Sequence, residues 1–201
     1  MSLSLWWFVV LLLAITSVGI MLARDWRWLI IFLAAQYAGM FILALQHWPP
    51  GMAAVKIIAG WMSAAILGMT KSNLIEEKAD TNNILPQGRL FRLIAAGVVG
   101  LIVASGTPLV DAMMADAGLA VSAGSLLLIG MGLLHLGVTD QILQVTVGLM
   151  TVLAGFEILY TAVESSTLVA ALLAVINLGL AMAGSYLMIA SNAQEKEAES
   201  L

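Results

Sequence analysis

Seven long apolar runs dominate the sequence and restrict the folds that are open to it. A membrane hydrocarbon core is about 30 Å thick, and a helix needs roughly 20 residues to cross it. The runs are continuous and lack the alternating pattern of β-barrel strands, so helices, which satisfy their own backbone hydrogen bonds in lipid, are expected. The sequence therefore predicts an all-α, polytopic membrane helix bundle with seven transmembrane helices, at about 3–22, 28–46, 51–70, 91–110, 118–138, 141–162 and 167–190.

The composition supports a membrane location. Hydrophobic residues make up 62% of the chain and charged residues 10%, with a mean hydropathy of +1.03. Soluble domains are about 45–50% apolar and about 25% charged, so this chain cannot cover itself with polar surface. The first run lacks a basic start and a small-residue cleavage site, and we interpret it as a retained helix rather than a signal peptide.

Lysine and arginine residues fall on one side of the predicted membrane. All but one of the 8 lie in the loops or the tail of that side, while the opposing loops carry acidic residues and His47. Because basic residues are retained in the cytoplasm, we expect the N-terminus outside and the C-terminus inside, in a prokaryotic cytoplasmic membrane. The segregated residues are Arg24, Arg27, Lys71, Lys78, Arg89, Arg92 and Lys196.

A polar segment at 71–90 divides the chain into three helices and four. Residues 1–70 are predicted to form a three-helix membrane segment, and 91–190 a four-helix membrane segment. Residues 191–201 are expected to form a short cytoplasmic tail without regular structure. The segment 71–90 is interpreted as a cytoplasmic polar linker, with a docking surface for a peripheral subunit as the alternative.

The fourth predicted span is the least regular. It ends in Ser105-Gly106-Thr107-Pro108, and proline interrupts the hydrogen bonding of a helix. We therefore expect a break near Pro108, with Asp111 in a short interfacial turn.

Lys56 is the one basic residue inside an apolar run, and it needs a partner. Counted at about 1.5 Å per residue from Gly51, it lies below the nearer membrane surface, where a charge is costly. Gly60, Ala64 and Gly68 follow Lys56 at steps of four residues. Such small residues permit close helix packing, so this stripe is expected to face protein rather than lipid.

Glu157 in the sixth span is the expected partner of Lys56, because the two lie at similar predicted depths. Tyr160, Thr161 and Glu164 continue the face of Glu157 towards the outer surface, and this row is a candidate proton or ion path. Three interpretations stay open. The two charges form a structural ion pair, they take part in ion or proton movement, or they do not touch.

The other polar residues of the spans suggest packing rather than cofactor binding. Asn177 lies near the midplane of the last helix, on a close-packing face, where we expect it to hydrogen-bond another helix or an internal water. His47 and His135 are far apart and near helix ends, so neither is expected to bind a metal or a pigment. The chain has no cysteine, which excludes iron–sulfur clusters and thiolate-bound metals. We expect no cofactor.

Part of the chain resembles a known group of membrane proteins. The stretch from Gln141 to Ala162 is a glycine-containing apolar helix with Glu157 inside it. It resembles the K-type subunits of respiratory complex I and the C subunits of multisubunit sodium/proton antiporters. The length of the chain, and Lys56 within Ala53-Ala54-Val55-Lys56-Ile57-Ile58, are similar to the hydrogenase-4 component E branch of that group.

The resemblance implies a non-catalytic subunit of an energy-converting membrane assembly, whose buried charges contribute to proton or cation translocation. Glu157 carries over from the group, with Lys56 as a second residue. The expected partners are other integral membrane subunits of an ion-translocating oxidoreductase or antiporter, not nucleic acid. This chain has Asn177 where the group has a further glutamate, which favours an incomplete relay. The alternatives are a purely structural scaffold subunit and a small transporter that acts alone.

Overall fold

The computed structural model describes residues 3–74, 88–114 and 117–199, and these ranges contain seven helices and no strand. All seven helices are long and apolar enough to cross a membrane, which is compatible with an integral membrane protein. The all-α prediction is confirmed. The helices are α1 (Leu3–Leu22), α2 (Trp26–Ala44), α3 (Pro50–Asn73), α4 (Arg89–Met113), α5 (Leu119–Gly137), α6 (Ile142–Val163) and α7 (Thr167–Glu199).

Proline and glycine set two of the helix starts. Pro49 has an extended backbone and precedes α3, and Pro50 occupies its first position. Proline suits that position, because the first N–H groups of a helix have no partner within the helix. Gly118 precedes α5 with a φ of 83°, which is strained for other residues. Pro50 and Gly118 therefore help to set where α3 and α5 begin.

The predicted break at Pro108 is wrong, because α4 continues through this residue to Met113. Asp111 is consequently helical and does not lie in a turn. The hydroxyl of Thr107 donates a hydrogen bond of 2.7 Å to the carbonyl of Val103 in the same stretch. This bond does not replace the one that Pro108 cannot donate to the carbonyl of Ala104. In an apolar surrounding a full break would leave more backbone polar groups unsatisfied than one proline does, which favours the continued helix.

The tail and the polar segment also differ in part from the prediction. Helix α7 extends to Glu199, so the expected lack of structure in the tail is wrong up to that residue. Helix α3 extends to Asn73, into the predicted linker. Residues 75–87, which make up most of that linker, lie outside the described residues.

The helices pack as two four-membered rings that share α2 and α6. In the first, α2 contacts α3, α3 contacts α7, α7 contacts α6, and α6 contacts α2. We call this the polar ring. In the second, α1 contacts α2, α2 contacts α6, α6 contacts α5, and α5 contacts α1. Helix α4 packs outside this ring, against α5 and α1. The shared helices therefore lie at the centre of the bundle.

The two ends of the bundle differ in charge. At one end, the junctions of α2 with α3 and of α6 with α7 meet, where Trp48 Nε1 donates to the carbonyl of Glu164. We call this the Trp48 end. At the opposite end, the Arg24 end, Arg92 Nη1 donates to the carbonyl of Met21 over 2.8 Å. Apart from Lys56, every lysine and arginine in the described ranges lies at the Arg24 end, as the sequence predicts.

Candidate functional site: a buried charge network

An ion pair lies at the centre of the polar ring. The Nζ of Lys56 on α3 is 3.2 Å from Oε2 of Glu157 on α6, and both side chains are fully buried. Helices α3 and α6 occupy opposite positions in the ring, so the two long side chains meet across its middle. The expected partners are therefore in contact.

Two neutral residues complete the network. Asn177 on α7 donates a hydrogen bond of 2.8 Å from Nδ2 to Oε1 of Glu157. Tyr37 on α2 donates one of 2.7 Å to Oδ1 of Asn177. Both residues are fully buried. The expectation that Asn177 hydrogen-bonds another helix is confirmed, and each helix of the polar ring contributes one residue to the network.

Sequence reasoning missed Tyr37, which lies against Gly60 of α3. A Cβ atom at Gly60 would overlap the ring of Tyr37, so the two helices approach closely only because this position lacks a side chain. Gly60 and Ala64 are buried, which confirms that this part of the small-residue stripe faces protein.

Trp48 covers the network at the Trp48 end. Its ring centroid lies 5.5 Å from Nζ of Lys56, within the range of a cation–π interaction. The indole is held by the 2.9 Å hydrogen bond from Nε1 to the carbonyl of Glu164 and by an edge-on contact with the ring of Tyr160. Residues at the end of α6 therefore hold the indole next to Lys56.

The predicted row of Tyr160, Thr161 and Glu164 does not join Glu157 through hydrogen bonds in the described part of the chain. Thr161 is buried, and its hydroxyl donates to the carbonyl of Ile158 in its own helix. Tyr160 is half-buried and packs on Trp48, while the exposed carboxylate of Glu164 accepts a hydrogen bond from the backbone N–H of the next residue. These residues lie near Trp48, and they do not extend the hydrogen-bond network outward from Glu157.

Further buried polar residues lie between the ion pair and the Arg24 end. Gln36 and Ser63 are fully buried, and Gln36 Oε1 makes a long contact of 3.5 Å with the hydroxyl of Thr151. Gln36 Nε2 and Ser63 Oγ have no hydrogen-bond partner among the described residues. Buried polar groups of this kind are generally satisfied by protein or by internal water. Polar character therefore continues from the network in this direction.

The two histidines lie apart from the ion pair in the described structure. His135 is 3% exposed and packs against Gly148 of α6, while His47 is half-buried in the junction before Trp48. Among residues 3–74, 88–114 and 117–199, no group of three His, Asp or Glu side chains is arranged to hold a metal ion. The chemistry of the site is therefore that of an ammonium, a carboxylate, an amide and a phenol.

Comparisons of the chain with protein-family models, with curated proteins and with solved structures found no match.

Proposed function

We propose that the chain is a non-catalytic integral membrane subunit of a complex I-, hydrogenase- or antiporter-like assembly, in which the buried charge network contributes to proton or cation translocation. The observation that carries the proposal is the fully buried Lys56–Glu157 pair at the centre of four membrane-length helices. Burying two charges costs desolvation energy that their attraction does not reliably offset. Ionisable residues within membrane spans accordingly tend to serve ion or proton pathways.

The pair can carry one proton between its two members. When the Lys56 ammonium gives a proton to the Glu157 carboxylate, a charged pair becomes a neutral amine and a neutral acid, with no change in total charge. A proton that reaches Glu157 from outside the pair instead leaves Lys56 as an unmatched cation, which favours release of a proton from Lys56. Asn177 orients the carboxylate through its N–H group, but its amide neither takes up nor releases a proton. A cation would have to compete with Lys56 for the same oxygens.

A structural scaffold is the second candidate function. It is favoured by the contacts of both carboxylate oxygens of Glu157 within the bundle, since Oε1 accepts a hydrogen bond from Asn177 and Oε2 forms the ion pair with Lys56. In this alternative the network holds four helices in register and moves no ion. The buried pair then acts as a specific connection between helices, a role that buried polar groups have in some systems.

We further propose that the N-terminus lies outside and the C-terminus inside a prokaryotic cytoplasmic membrane. The support is the position of the described basic loop residues at the Arg24 end. A peripheral subunit at 71–90 would then bind on the cytoplasmic side.

The first experiment is gentle extraction of the chain from native membranes, followed by mass spectrometry of the proteins that co-purify. Co-purifying antiporter-like or hydrogenase-like subunits support the translocation proposal. Unrelated membrane proteins favour the scaffold. A chain that emerges alone contradicts membership of an assembly, and ion transport by the purified chain in liposomes then becomes the relevant measurement.

A charge swap separates the two candidates within the assembly. The variants are Lys56→Glu with Glu157→Lys, each single substitution, and Asp25→Asn as an exposed control. Assembly is measured by native electrophoresis and proton movement by a pH-sensitive dye in membrane vesicles. If the swap restores assembly but not proton movement, the translocation proposal is supported. If it restores both, the pair is structural.

A further inference from the structure

Trp48 differs from the tryptophans that face the surroundings of the bundle. Trp7, Trp28 and Trp61 are 46%, 56% and 53% exposed, whereas Trp48 is 2% exposed. Tryptophans that anchor a helix at a membrane interface place their rings among the lipid headgroups. The ring of Trp48 instead packs inside the protein, so anchoring in lipid does not explain its position.

The contacts of Trp48 connect two parts of the bundle above the network. Trp48 belongs to the junction of α2 with α3, and its Nε1 hydrogen bond reaches the carbonyl of Glu164, at the junction of α6 with α7. A second contact joins the same regions, because the hydroxyl of Thr167 lies 3.8 Å from Sδ of Met52. The two junctions are thus connected by both contacts.

Lys56 lies close to this end of its helix. Pro50 begins α3, and a helix rises about 1.5 Å per residue, so the Cα of Lys56 is roughly 9 Å from the helix start. A lysine side chain at that depth can normally extend to the membrane surface. Here the Lys56 ammonium is turned to Glu157 and is fully buried. Trp48 lies against the ammonium at the end of the bundle that the side chain would otherwise reach.

We propose that Trp48 closes the charge network against the aqueous phase at the Trp48 end, so that water and ions reach Lys56 and Glu157 from that end only when the indole moves. The closure follows from the packing alone, whereas its role in controlling access rests on the proposed translocation function. The face of an indole attracts a cation but cannot accept its proton. Trp48 therefore holds the charge of Lys56 in place without offering it a route outward.

An access control of this kind fits a charge pair that takes part in translocation. A site that exchanges protons with both sides of a membrane at once would let them leak down their gradient. Buried polar side chains lie on both sides of the pair, with Gln36 and Ser63 towards the Arg24 end and Thr161 towards the Trp48 end. At the Trp48 end an indole lies against the Lys56 ammonium, so the geometry assigns closure to that end.

Cysteine labelling tests the proposal, since the chain has no cysteine of its own. The reporter is Thr161→Cys, at a buried position one helical turn from Glu157 towards the Trp48 end. It is combined with Trp48→Ala or with Trp7→Ala, the matched control at an exposed tryptophan. The protein is placed in lipid nanodiscs, and its modification by a small charged methanethiosulfonate reagent is followed by mass spectrometry. A buried thiol reacts only through local opening, so we expect Trp48→Ala to speed labelling roughly tenfold or more and Trp7→Ala to leave it unchanged.

A second reporter, Ser63→Cys, lies on the opposite side of the ion pair and separates local opening from a loosened bundle. If Trp48→Ala speeds the labelling of both reporters equally, the labelling is repeated with Trp48→Leu, which keeps an apolar side chain. Faster labelling at Thr161→Cys alone then supports closure, and unchanged labelling overturns it. Rapid labelling of Thr161→Cys with Trp48 intact also overturns it. Labelling does not depend on ion movement, so a failure of this proposal and a failure of the translocation proposal are distinguishable.

Discussion

Tyr37 donates a hydrogen bond of 2.7 Å to Oδ1 of Asn177, and this bond fixes the orientation of the Asn177 amide. With Oδ1 occupied by the hydroxyl, Nδ2 faces Glu157 and donates to its Oε1. The second carboxylate oxygen meets the Lys56 ammonium. The environment of Glu157 is therefore set partly by Tyr37, a residue that acts on it through Asn177.

Tyr37→Phe should destabilise the bundle by about 1–2 kcal/mol, because it leaves a buried amide oxygen without its donor. The matched control is Tyr186→Phe, at a tyrosine that is 70% exposed, which should change stability by less than about 0.5 kcal/mol. The free energy of unfolding is measured by SDS titration in mixed detergent micelles. Equal losses for the two variants would contradict a structural role for the Tyr37 hydroxyl.

Lys56→Met should cost about 3–5 kcal/mol, because it leaves the Glu157 carboxylate buried without its counter-charge. Glu157→Met should cost a similar amount for the converse reason. The double variant should recover most of the loss, since two apolar side chains of similar volume leave no unpaired charge. The same SDS titration completes the double-mutant cycle. Losses that simply add in the double variant would show that the two residues are energetically independent.

Gly60→Ala should destabilise the bundle, because the added methyl group would overlap the ring of Tyr37 and force it away from Asn177. We expect a loss of about 1–3 kcal/mol, the usual range for overpacking. Gly179→Ala is the matched control, as a Cβ atom there meets nothing within 4 Å. Alanine is the better helix former by about 1 kcal/mol, so the control should be neutral or stabilising. Thermal unfolding in detergent measures both, and a neutral Gly60→Ala would contradict the close approach of α2 and α3.

Single cysteines can also determine the orientation of the chain. Ser72 at the Arg24 end and Ser165 at the Trp48 end are both exposed. If basic residues lie in the cytoplasm, a membrane-impermeant maleimide should label Ser165→Cys in intact cells and Ser72→Cys only after lysis. The reverse pattern would place the N-terminus inside. Labelling of each variant after lysis confirms that both thiols are reactive.

The positions of the helices could be predicted because the apolar runs are long and separated by polar or glycine- and proline-containing junctions. The similar depth of Lys56 and Glu157 followed from a simple count, since depth along alternating helices is fixed by residue number. Their contact was left open, because it depends on which helices are neighbours. The break expected at Pro108 was wrong because the effect of proline depends on the solvent. Surrounded by lipid, the backbone gains more from a continued helix than from an open turn.

Tyr37 and Trp48 could not be predicted from local sequence. A tyrosine within an apolar run has the same pattern whether it packs in a core or donates a buried hydrogen bond, and its partner Asn177 lies 140 residues away in sequence. A tryptophan beside two prolines near the end of a span is typical of a membrane interface. Its inward direction depends on which helices are neighbours, and the hydrophobic pattern does not encode the order of helices around a ring.

Helix α2 forms a wall common to both rings, and adjacent residues on it engage different neighbours. Tyr37 reaches Asn177 on α7, while Gln36 contacts Thr151 on α6. Successive side chains on a helix are separated by about 100° of rotation, so they cannot be repositioned independently. A turn of α2 that releases Asn177 must also shift Gln36 against α6. Because α2 and α6 belong to both rings, such a turn would change the wall that the two rings share.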